Sequence, residues 1–402
     1  MRLHNYWTRA ESSSANFVRS LPNPTANQKY LWILRGEMTG TASTTDVSVT
    51  ATNSSGSTLW LSQERRTGIA NAWQPFFGAY VVDYGGTPPA QDICTVALGS
   101  STYSMRNVTL AIFELQDSDE SAYTALTSAA TTSSTSFVDS ETLTFTTPNT
   151  TDADYLILAF ADAAQTSTSI VHSIRLLDSA SAAQYDLDLD VYATTNHQAW
   201  GAVGVYSLTA NTSYTFKIQQ HSSAATNVTT RATCILAIRL DEYHDYGEVY
   251  EASTGTETGT SYVNFPMNDS GGTGFTPSRA SEFVLFWVGT HWGSGSFNRD
   301  SYLKLWQPTL GDLAEVRYKT PSNAENHSQV FCLHRFRWGA SSFVPVAHQK
   351  RGLIGATSNC GGSNSGREFG CCIVDFGSYA SDNPVNILGN TNILGNTVVA
   401  GG

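Results

Sequence analysis

Three aspartates spaced two residues apart, in the segment YDLDLDVY, are the clearest candidate for metal chemistry. Asp186, Asp188 and Asp190 are predicted to share one face of a strand, because side chains alternate along an extended chain. Carboxylate oxygens gathered in this way favour Ca²⁺ over a transition metal. The segment is not an EF-hand, since the sixth position is Val191 and the twelfth is His197. We interpret the triplet as a solvent-facing acidic strand and keep a weak Ca²⁺ site as the alternative.

The segment FWVGTHWGSGSFNRD combines aromatic and polar side chains in a way typical of sugar-binding surfaces. His291 and Trp292 precede a Gly-rich turn, and Asn298 and Asp300 follow it. An aromatic face can pack against a sugar ring, while amide and carboxylate groups bond its hydroxyls. Trp292 lies beyond the apolar run and is expected to be exposed. These four residues are the candidate glycan contacts.

Patterns for catalysis and cofactor binding are missing from the sequence. It contains no G-x-S-x-G nucleophile motif and no GxxxxGK[ST] phosphate loop. Its scattered acidic residues offer no evident facing pair for glycoside hydrolysis. Cys332 and His334 share strand parity, but the four-ligand spacing of structural zinc is missing. The sequence therefore predicts a protein that is not an enzyme and has no cofactor and no catalytic residues.

Composition excludes several classes of partner. The 402 residues are 41% hydrophobic and only 14% charged, and the net charge is −12, so no basic stripe is available for nucleic acid. The longest apolar runs, YLWIL and FVLFWV, are far shorter than the roughly 20 residues that span a bilayer. The N-terminal residues lack the apolar stretch of a secretory signal. We expect no nucleic-acid or membrane partner, and synthesis in a cytoplasm. The six cysteines mostly lie in apolar runs and are predicted to be buried thiols.

The elements that carry these residues are predicted to be short β-strands, because apolar runs are broken by Gly, Asn, Ser and Pro at short intervals. Similar segments recur three times in the same order. The central segment, apolar on both faces as buried strands are, occurs as YLWILRGEM, YLILAFADA and FVLFWVGTH from Tyr30, Tyr155 and Phe283. The closing segments align on Leu110, Leu236 and Cys371. The predicted fold class is all-β, with three tandem β-sandwich domains of jelly-roll-like topology and extended N- and C-terminal arms.

The repeats divide the chain into five predicted segments. They are an N-terminal arm at 1–11, β-sandwich repeats at 12–120, 124–243 and 252–377, and a C-terminal extended arm at 378–402. The third repeat is longer because it contains the Gly-rich loop IGATSNCGGSNSGREFG. Each repeat is long enough to bury a core, so the second is expected to fold alone.

The C-terminal arm contains the hexapeptide NILGNT twice. In an extended strand, a period of six places Ile387 and Ile393 on one face, with Leu388 and Leu394 beside them. Such an arm could add a strand to a neighbour's sheet, using main-chain hydrogen bonds for affinity. We interpret these four residues as an assembly arm, and a poorly ordered tail is the alternative.

The succession TSTSFVDSETLTF, DYLILAFAD, SIRLLDS and QAWGAVGVYSLTANTSYTFKIQQHSS resembles tandem jelly-roll-like β-sandwich repeats in structural proteins of tailed-bacteriophage virions. The resemblance covers residues 12–377, is clearest in the second repeat, and depends on strand pattern rather than on catalytic residues. It implies a virion protein of the head-decoration or fibre type. Its partners would be the major capsid protein, copies of itself, or a host-surface glycan.

Among these functions, the sequence most favours a head decoration or cement protein on the outer capsid surface, and hence location on the virion surface after synthesis in the host cytoplasm. A tail-fibre or receptor-binding protein that recognises host-surface glycan is the alternative. A secreted bacterial carbohydrate-binding protein is disfavoured by the missing signal sequence.

Overall fold

The computed structural model of the chain consists of β-strands, turns and connecting segments. It describes residues 1–41, 46–54, 59–66, 73–115, 121–126, 128–148, 151–167, 170–180, 183–189, 197–240, 246–251, 255–257, 263–265, 275–294, 300–319, 326–343, 346–351, 357–360 and 369–375. Within these ranges, no helix has the length and apolar character needed to cross a membrane.

Sandwich 1, the first unit, is built from eight strands in two antiparallel sheets. The strands are β1 Arg2–Arg9, β2 Phe17–Pro22, β3 Lys29–Gly40, β4 Asp46–Thr52, β5 Leu59–Arg66, β6 Gln74–Asp83, β7 Gln91–Leu98 and β8 Tyr103–Leu115. One sheet has the order β1-β8-β3-β6, and the other has the order β2-β7-β4-β5.

Sandwich 2 repeats this plan with a divided first strand. Its strands are β9 Ser121–Leu126, β10 Ala130–Thr132, β11 Val138–Thr146, β12 Ala153–Gln165, β13 His172–Leu177, β14 Ala183–Leu189, β15 His197–Leu208, β16 Ser213–Ser222 and β17 Val228–Arg239. Both β9 and β10 pair with β17, which continues to β12 and β15, and β15 in turn pairs with β5 of sandwich 1 at His197 and Glu64. The second sheet has the order β11-β16-β13-β14.

Sandwich 3 has the same plan, with its first and last strands both divided. Its strands are β18 Tyr246–Glu251, β19 Gly255–Glu257, β20 Val263–Phe265, β21 Ser281–Ser294, β22 Asp300–Gln307, β23 Gly311–Lys319, β24 Asn326–Trp338, β25 Val346–Arg351, β26 Thr357–Cys360 and β27 Phe369–Val374. One sheet runs β18-β27-β21-β24, with β19-β26 continuing beside β21, and the other runs β20-β25-β22-β23.

The strand order identifies each unit as a jelly roll. When divided strands are counted as one, every sandwich pairs its strands in the orders 1-8-3-6 and 2-7-4-5. The predicted all-β fold with three tandem β-sandwiches is therefore confirmed. The three apolar central segments are the third strands, and each lies between the eighth and sixth strands of its sheet.

The N-terminal segment differs from the predicted arm at 1–11. Strand β1 pairs with β8 from Arg2 to Arg9 and is the first strand of sandwich 1. Burial is the physical reason: Met1 is 1% exposed, and Leu3 and Tyr6 pack against the apolar core. The C-terminal arm at 378–402 lies outside the described residues.

The third strands are apolar on both faces because each face meets a different core. In β3, Tyr30, Trp32 and Leu34 pack inside sandwich 1. Leu31 and Ile33, on the opposite face, belong to a second core that all three sandwiches share. Burial of the second face removes it from water and makes the sandwiches one packed body.

The shared core joins the sheets that contain the third strands. Nearly all the core of sandwich 2 belongs to it, and sandwiches 1 and 3 add their outward-facing residues. Sandwich 1 contributes Leu31, Ile33, Phe77, Ala79, Ala111 and Phe113. Sandwich 3 contributes Val284, Phe286, Val288, Phe331, Leu333, Cys372 and Val374. We call the contact region between the three sandwiches the hub.

Contacts between the sandwiches form a closed ring. The fifth strand of each sandwich contacts the sixth strand of the next, in the pairs β5 with β15, β14 with β24, and β23 with β6. The sixth strand contacts the third strand of the next sandwich, in the pairs β6 with β12, β15 with β21, and β24 with β3. The three sixth strands also contact one another. One chain thus forms an approximate threefold arrangement, in which sandwich 3 contacts sandwich 1.

Candidate assembly surfaces and binding clefts

The hub places two phenylalanines and a glycine at one equivalent position of the three sixth strands. These residues are Phe77, Gly201 and Phe331. Each pairs with the third-strand residue that lies five positions after the first aromatic of its central segment, which is Tyr30, Tyr155 or Phe283. The centroid of the Phe331 ring lies 5.7 Å from the centroid of the Phe77 ring and 5.2 Å from that of the Phe160 ring. A Cβ at residue 201 would lie 3.1 Å from the Phe77 ring, which is too close for comfortable packing. Glycine in sandwich 2 therefore makes room for the phenylalanine of sandwich 1.

A tyrosine on the first strand of sandwich 1 reaches across to sandwich 3. The Tyr6 hydroxyl donates to the Leu333 carbonyl at 3.1 Å and accepts from the Arg335 amide at 3.3 Å. Burial raises the pKa of Tyr6 to about 12, so its hydroxyl keeps its proton at neutral pH. The contact closes the ring between its first and last members.

The first strands of sandwiches 2 and 3 also contact the preceding sandwich, through different partners. Tyr123, on the first strand of sandwich 2, lies beneath the Lys29 ammonium of sandwich 1, at 5.1 Å from ring centroid to Nζ. Tyr246, on the first strand of sandwich 3, donates to Asp154 Oδ2 of sandwich 2 at 2.9 Å. Lys29 and Asp154 occupy the same position in their sandwiches, because each immediately precedes the first aromatic of its central segment. Each first strand therefore joins its own sandwich to the preceding one.

Ion pairs between a partly exposed arginine and a buried carboxylate recur at one position of the third and eighth strands in sandwiches 1 and 2. Arg106 Nε lies 2.7 Å from Glu37, and Arg231 Nε lies 2.8 Å from Asp162. Burial raises the pKa of Glu37 despite the nearby guanidinium. His197 lies 3.5 Å from Asp162, but burial and then Arg231 lower its pKa to about 4, so it is neutral at pH 7. The recurrence indicates a structural role, since the same pair holds the third and eighth strands together in both sandwiches.

Sandwich 2 has an open cleft of about 610 Å³ where it meets sandwich 3. It is lined by the end of β15, the turn after β13, Asp154, Tyr214, and the start of β18. Asp154 is held by two hydrogen bonds, because Ser207 Oγ donates to Oδ1 at 2.5 Å and Tyr246 donates to Oδ2. The cleft therefore has fixed polar groups at a boundary between two packed units.

Sandwich 3 has a cleft of about 570 Å³ at the corresponding corner. Its lining comes from the turn between β22 and β23 and from the end of β24, including Arg337 and Trp338. The Trp338 indole donates to the Ser341 carbonyl at 2.8 Å, and Arg337 donates to Glu282 at 3.0 Å. The two clefts share a position in the fold, but aspartates line the cleft of sandwich 2 and an arginine lines the cleft of sandwich 3.

The corresponding corner of sandwich 1 is occupied by a hydrogen-bonded cluster. The Tyr84 hydroxyl donates to Asp92 Oδ2 at 2.6 Å, and the Ser54 amide donates to Asp92 Oδ1 at 3.1 Å. Asp92 is buried, so these bonds satisfy an acceptor that water does not reach. Polar side chains at this corner are therefore used for packing in sandwich 1.

The predicted Ca²⁺ residues lie only partly in the described chain. Asp186 and Asp188 belong to β14, at the edge of its sheet, while Asp190 lies outside the described residues. The pairing of β13 with β14 shifts register between Ile174 and Leu176, beside Asp186. This irregularity interrupts the strict alternation from which the common face was predicted. The solvent-facing acidic strand stays a prediction, and a weak Ca²⁺ site stays its alternative.

The predicted glycan residues are distributed differently from the sequence interpretation. Strand β21 continues to Ser294, so His291 and Trp292 lie within it. The backbone of Trp292 pairs with β24 on one side and β26 on the other. Asp300 begins β22, and Asn298 lies outside the described residues. A sugar contact by these four residues stays a prediction, on a strand paired on both sides.

The cysteine prediction is confirmed for five thiols, which are free and buried: Cys94, Cys234, Cys332, Cys371 and Cys372. Burial raises the pKa of Cys94 to about 12, so it is protonated at neutral pH. The described residues contain no group of three or more His, Cys, Asp or Glu arranged to hold a metal ion. The predicted assembly residues Ile387, Leu388, Ile393 and Leu394 lie outside the described residues.

The chain has distant likenesses among solved structures. No protein family and no curated protein matches the chain. Three similar solved structures are a chain of Sulfolobus Turreted Icosahedral Virus (11% identity, TM-score 0.20, 87% of this chain and 84% of that one), the T13 IBDV viral particle (6%, 0.23, 92% and 81%), and the CBM22-1-CBM22-2 tandem domain of Paenibacillus barcinonensis Xyn10C (8%, 0.18, 58% and 92%). These TM-scores are low, so the jelly-roll description depends on the strand order of this chain.

Proposed function

We propose that the protein is a non-enzymatic structural protein of a virion, and specifically a head decoration or cement subunit on the outer capsid surface of a tailed phage. The observation that carries the proposal is the closed ring of three jelly-roll sandwiches in one chain. Such a ring presents three similarly oriented outer surfaces without requiring three chains to assemble. The resemblance of the repeats to tailed-phage virion proteins supports the same role.

The ring also defines the partner that would fit it. An oligomer with closed symmetry offers identical surfaces around its axis, and a molecule with matching approximate symmetry can contact all of them at once. Simultaneous engagement of several surfaces strengthens attachment, because each later contact is intramolecular. A shell of repeated subunits, with threefold positions between them, is therefore the partner that we propose.

The test is the copy number in purified particles, measured against the major capsid protein by quantitative gel analysis. Decoration predicts about one chain for every three shell subunits, at threefold positions. Immunogold labelling should then cover the head. Absence of the protein from particles would refute a virion role altogether.

A tail appendage that recognises a host-surface glycan is the second candidate. The aromatic-lined clefts of sandwiches 2 and 3 favour it, since such clefts are suited to sugars. This candidate predicts about a dozen copies or fewer per particle and immunogold labelling confined to the tail, in line with the rotational symmetry of a tail.

A further inference from the structure

The cleft between sandwiches 2 and 3 combines aromatic rings with oriented carboxylates. Its lining includes Tyr206, Tyr214 and Tyr246, together with Asp154 and Asp178. Its volume of about 610 Å³ is within the range of small-molecule sites, which occur preferentially where two domains meet. The three tyrosines and both aspartates are partly exposed, so they can be reached by a ligand.

Both carboxylates are held in place by hydrogen bonds within the protein. Asp154 accepts from Ser207 and Tyr246, and Asp178 Oδ1 accepts from the Ala180 amide at 2.9 Å. Each carboxylate oxygen has two lone pairs, so Asp154 can accept a further hydrogen bond from a ligand. Groups held in place beforehand lose little conformational entropy when the ligand arrives.

The lining also restricts the charge of the ligand. The described residues that line this cleft include no Lys, Arg or His. The two aspartates disfavour an anion, and their carboxylates accept hydrogen bonds from vicinal hydroxyl groups. A tyrosine ring meanwhile packs against the C–H face of a pyranose. A ligand with many hydroxyls, one apolar face and no negative charge satisfies all of these features.

We propose that this cleft binds a neutral saccharide of one or two sugar units. The site differs from the region around Trp292, and the proposal depends on sandwiches 2 and 3 alone. It does not depend on where the protein is located in a particle. Failure of sugar binding would therefore leave the virion proposal standing, and absence from virions would leave this site standing.

The test is saturation-transfer NMR on the full-length chain, with maltose, cellobiose, lactose and diacetylchitobiose as neutral probes and sialyllactose as an anionic probe. At least one neutral sugar should receive saturation, while the sialic acid protons of sialyllactose should receive none. The dissociation constant should rise about tenfold in Asp154→Asn and in Asp178→Asn, because each loses hydrogen bonds to a charged acceptor. Tyr246→Phe keeps the ring and should weaken binding less.

The matched control is Asp83→Asn, which removes the same charge at the corresponding corner of sandwich 1, where Asp83 lies 3.9 Å from Lys29. It should leave sugar binding unchanged. Near-UV circular dichroism of each variant checks the fold. The proposal is overturned if no neutral probe receives saturation, if sialic acid is bound as well as lactose, or if the Asp154→Asn/Asp178→Asn double variant binds like the unmodified protein.

Discussion

Replacing Phe331 with Ala should destabilise the whole ring, because the side chain lies in the hub between sandwiches. Phe331 is 2% exposed and packs against Phe77 of sandwich 1 and Phe160 of sandwich 2. A buried Phe→Ala change costs about 3 to 5 kcal/mol, through lost burial and the cavity left behind. We expect the free energy of unfolding to fall by that amount.

A double-mutant cycle isolates the contact between sandwiches. Phe77→Ala and Phe331→Ala should be non-additive, with a coupling of about 0.5 to 1.5 kcal/mol for an aromatic pair in contact. The matched control is Phe76→Ala. Phe76 is equally buried but belongs to the core inside sandwich 1. It should destabilise the protein similarly and show no coupling to Phe331.

Urea unfolding, followed by tryptophan fluorescence, measures these free energies. Trp60, Trp200 and Trp287 are fully buried, and they lie in sandwiches 1, 2 and 3 respectively. Fluorescence therefore reports on the whole ring, and one transition is expected. Additive effects of Phe77→Ala and Phe331→Ala, or loss of sandwich 3 alone in Phe331→Ala, would refute the shared hub.

Three further predictions concern close packing, pH and autonomy. Gly201→Ala should lower the free energy of unfolding by about 1 to 3 kcal/mol in urea melts, and adding Phe77→Leu should restore part of it, because the new methyl meets the Phe77 ring. Burial lowers the pKa of His172 to about 4 from 6.5, so acid favours the unfolded state below pH 6.5. His172 should contribute about 2 kcal/mol to the stability that urea melts lose between pH 7 and 5, beside the contributions of His197 and His334, and His172→Gln should remove that share. The sequence led us to expect that the second repeat folds alone, and the shared core changes that expectation: residues 121–240 alone would expose the outward face of sandwich 2, including Leu158, and should self-associate in sedimentation experiments. A monomeric fragment with a cooperative melt would contradict the shared core.

The sequence predicted the repeated sandwich well because its central strands are long and strongly apolar. The starts at Tyr30, Tyr155 and Phe283 fall in equivalent third strands. The same property explains why the sequence revealed neither the ring nor the exact register. A strand that is apolar on both faces has no period-two pattern, so nothing distinguishes the inner face from the face that packs on another sandwich.

The closing strands show this limit at single-residue resolution. Leu110 and Cys371 pair with the fourth residue after Tyr30 and Phe283 respectively. The residue in the same place in sandwich 2 is Ile235, which pairs with Ala159, rather than the predicted Leu236. A shift of one residue is invisible where both neighbours are buried and apolar.

Edge strands and clefts were harder still to predict. Strand β1 mixes polar and apolar residues, so its place beside β8 depends on pairing partners about a hundred residues away. The cleft of sandwich 2 brings together Asp154, Tyr206 and Tyr246 from three strands, and no local spacing marks such a site. The predicted Trp292 cluster, by contrast, was chosen because its members are close in sequence.

Small-angle X-ray scattering of the full chain most directly tests the closed ring on which the account depends. A compact body of this length has a radius of gyration of about 22 Å. Three separate sandwiches in a row, with centres about 30 Å apart, would give about 28 Å from the same scaling. We predict the smaller value and a single-peaked distance distribution; the larger value, with a long shoulder at high distance, would contradict the ring.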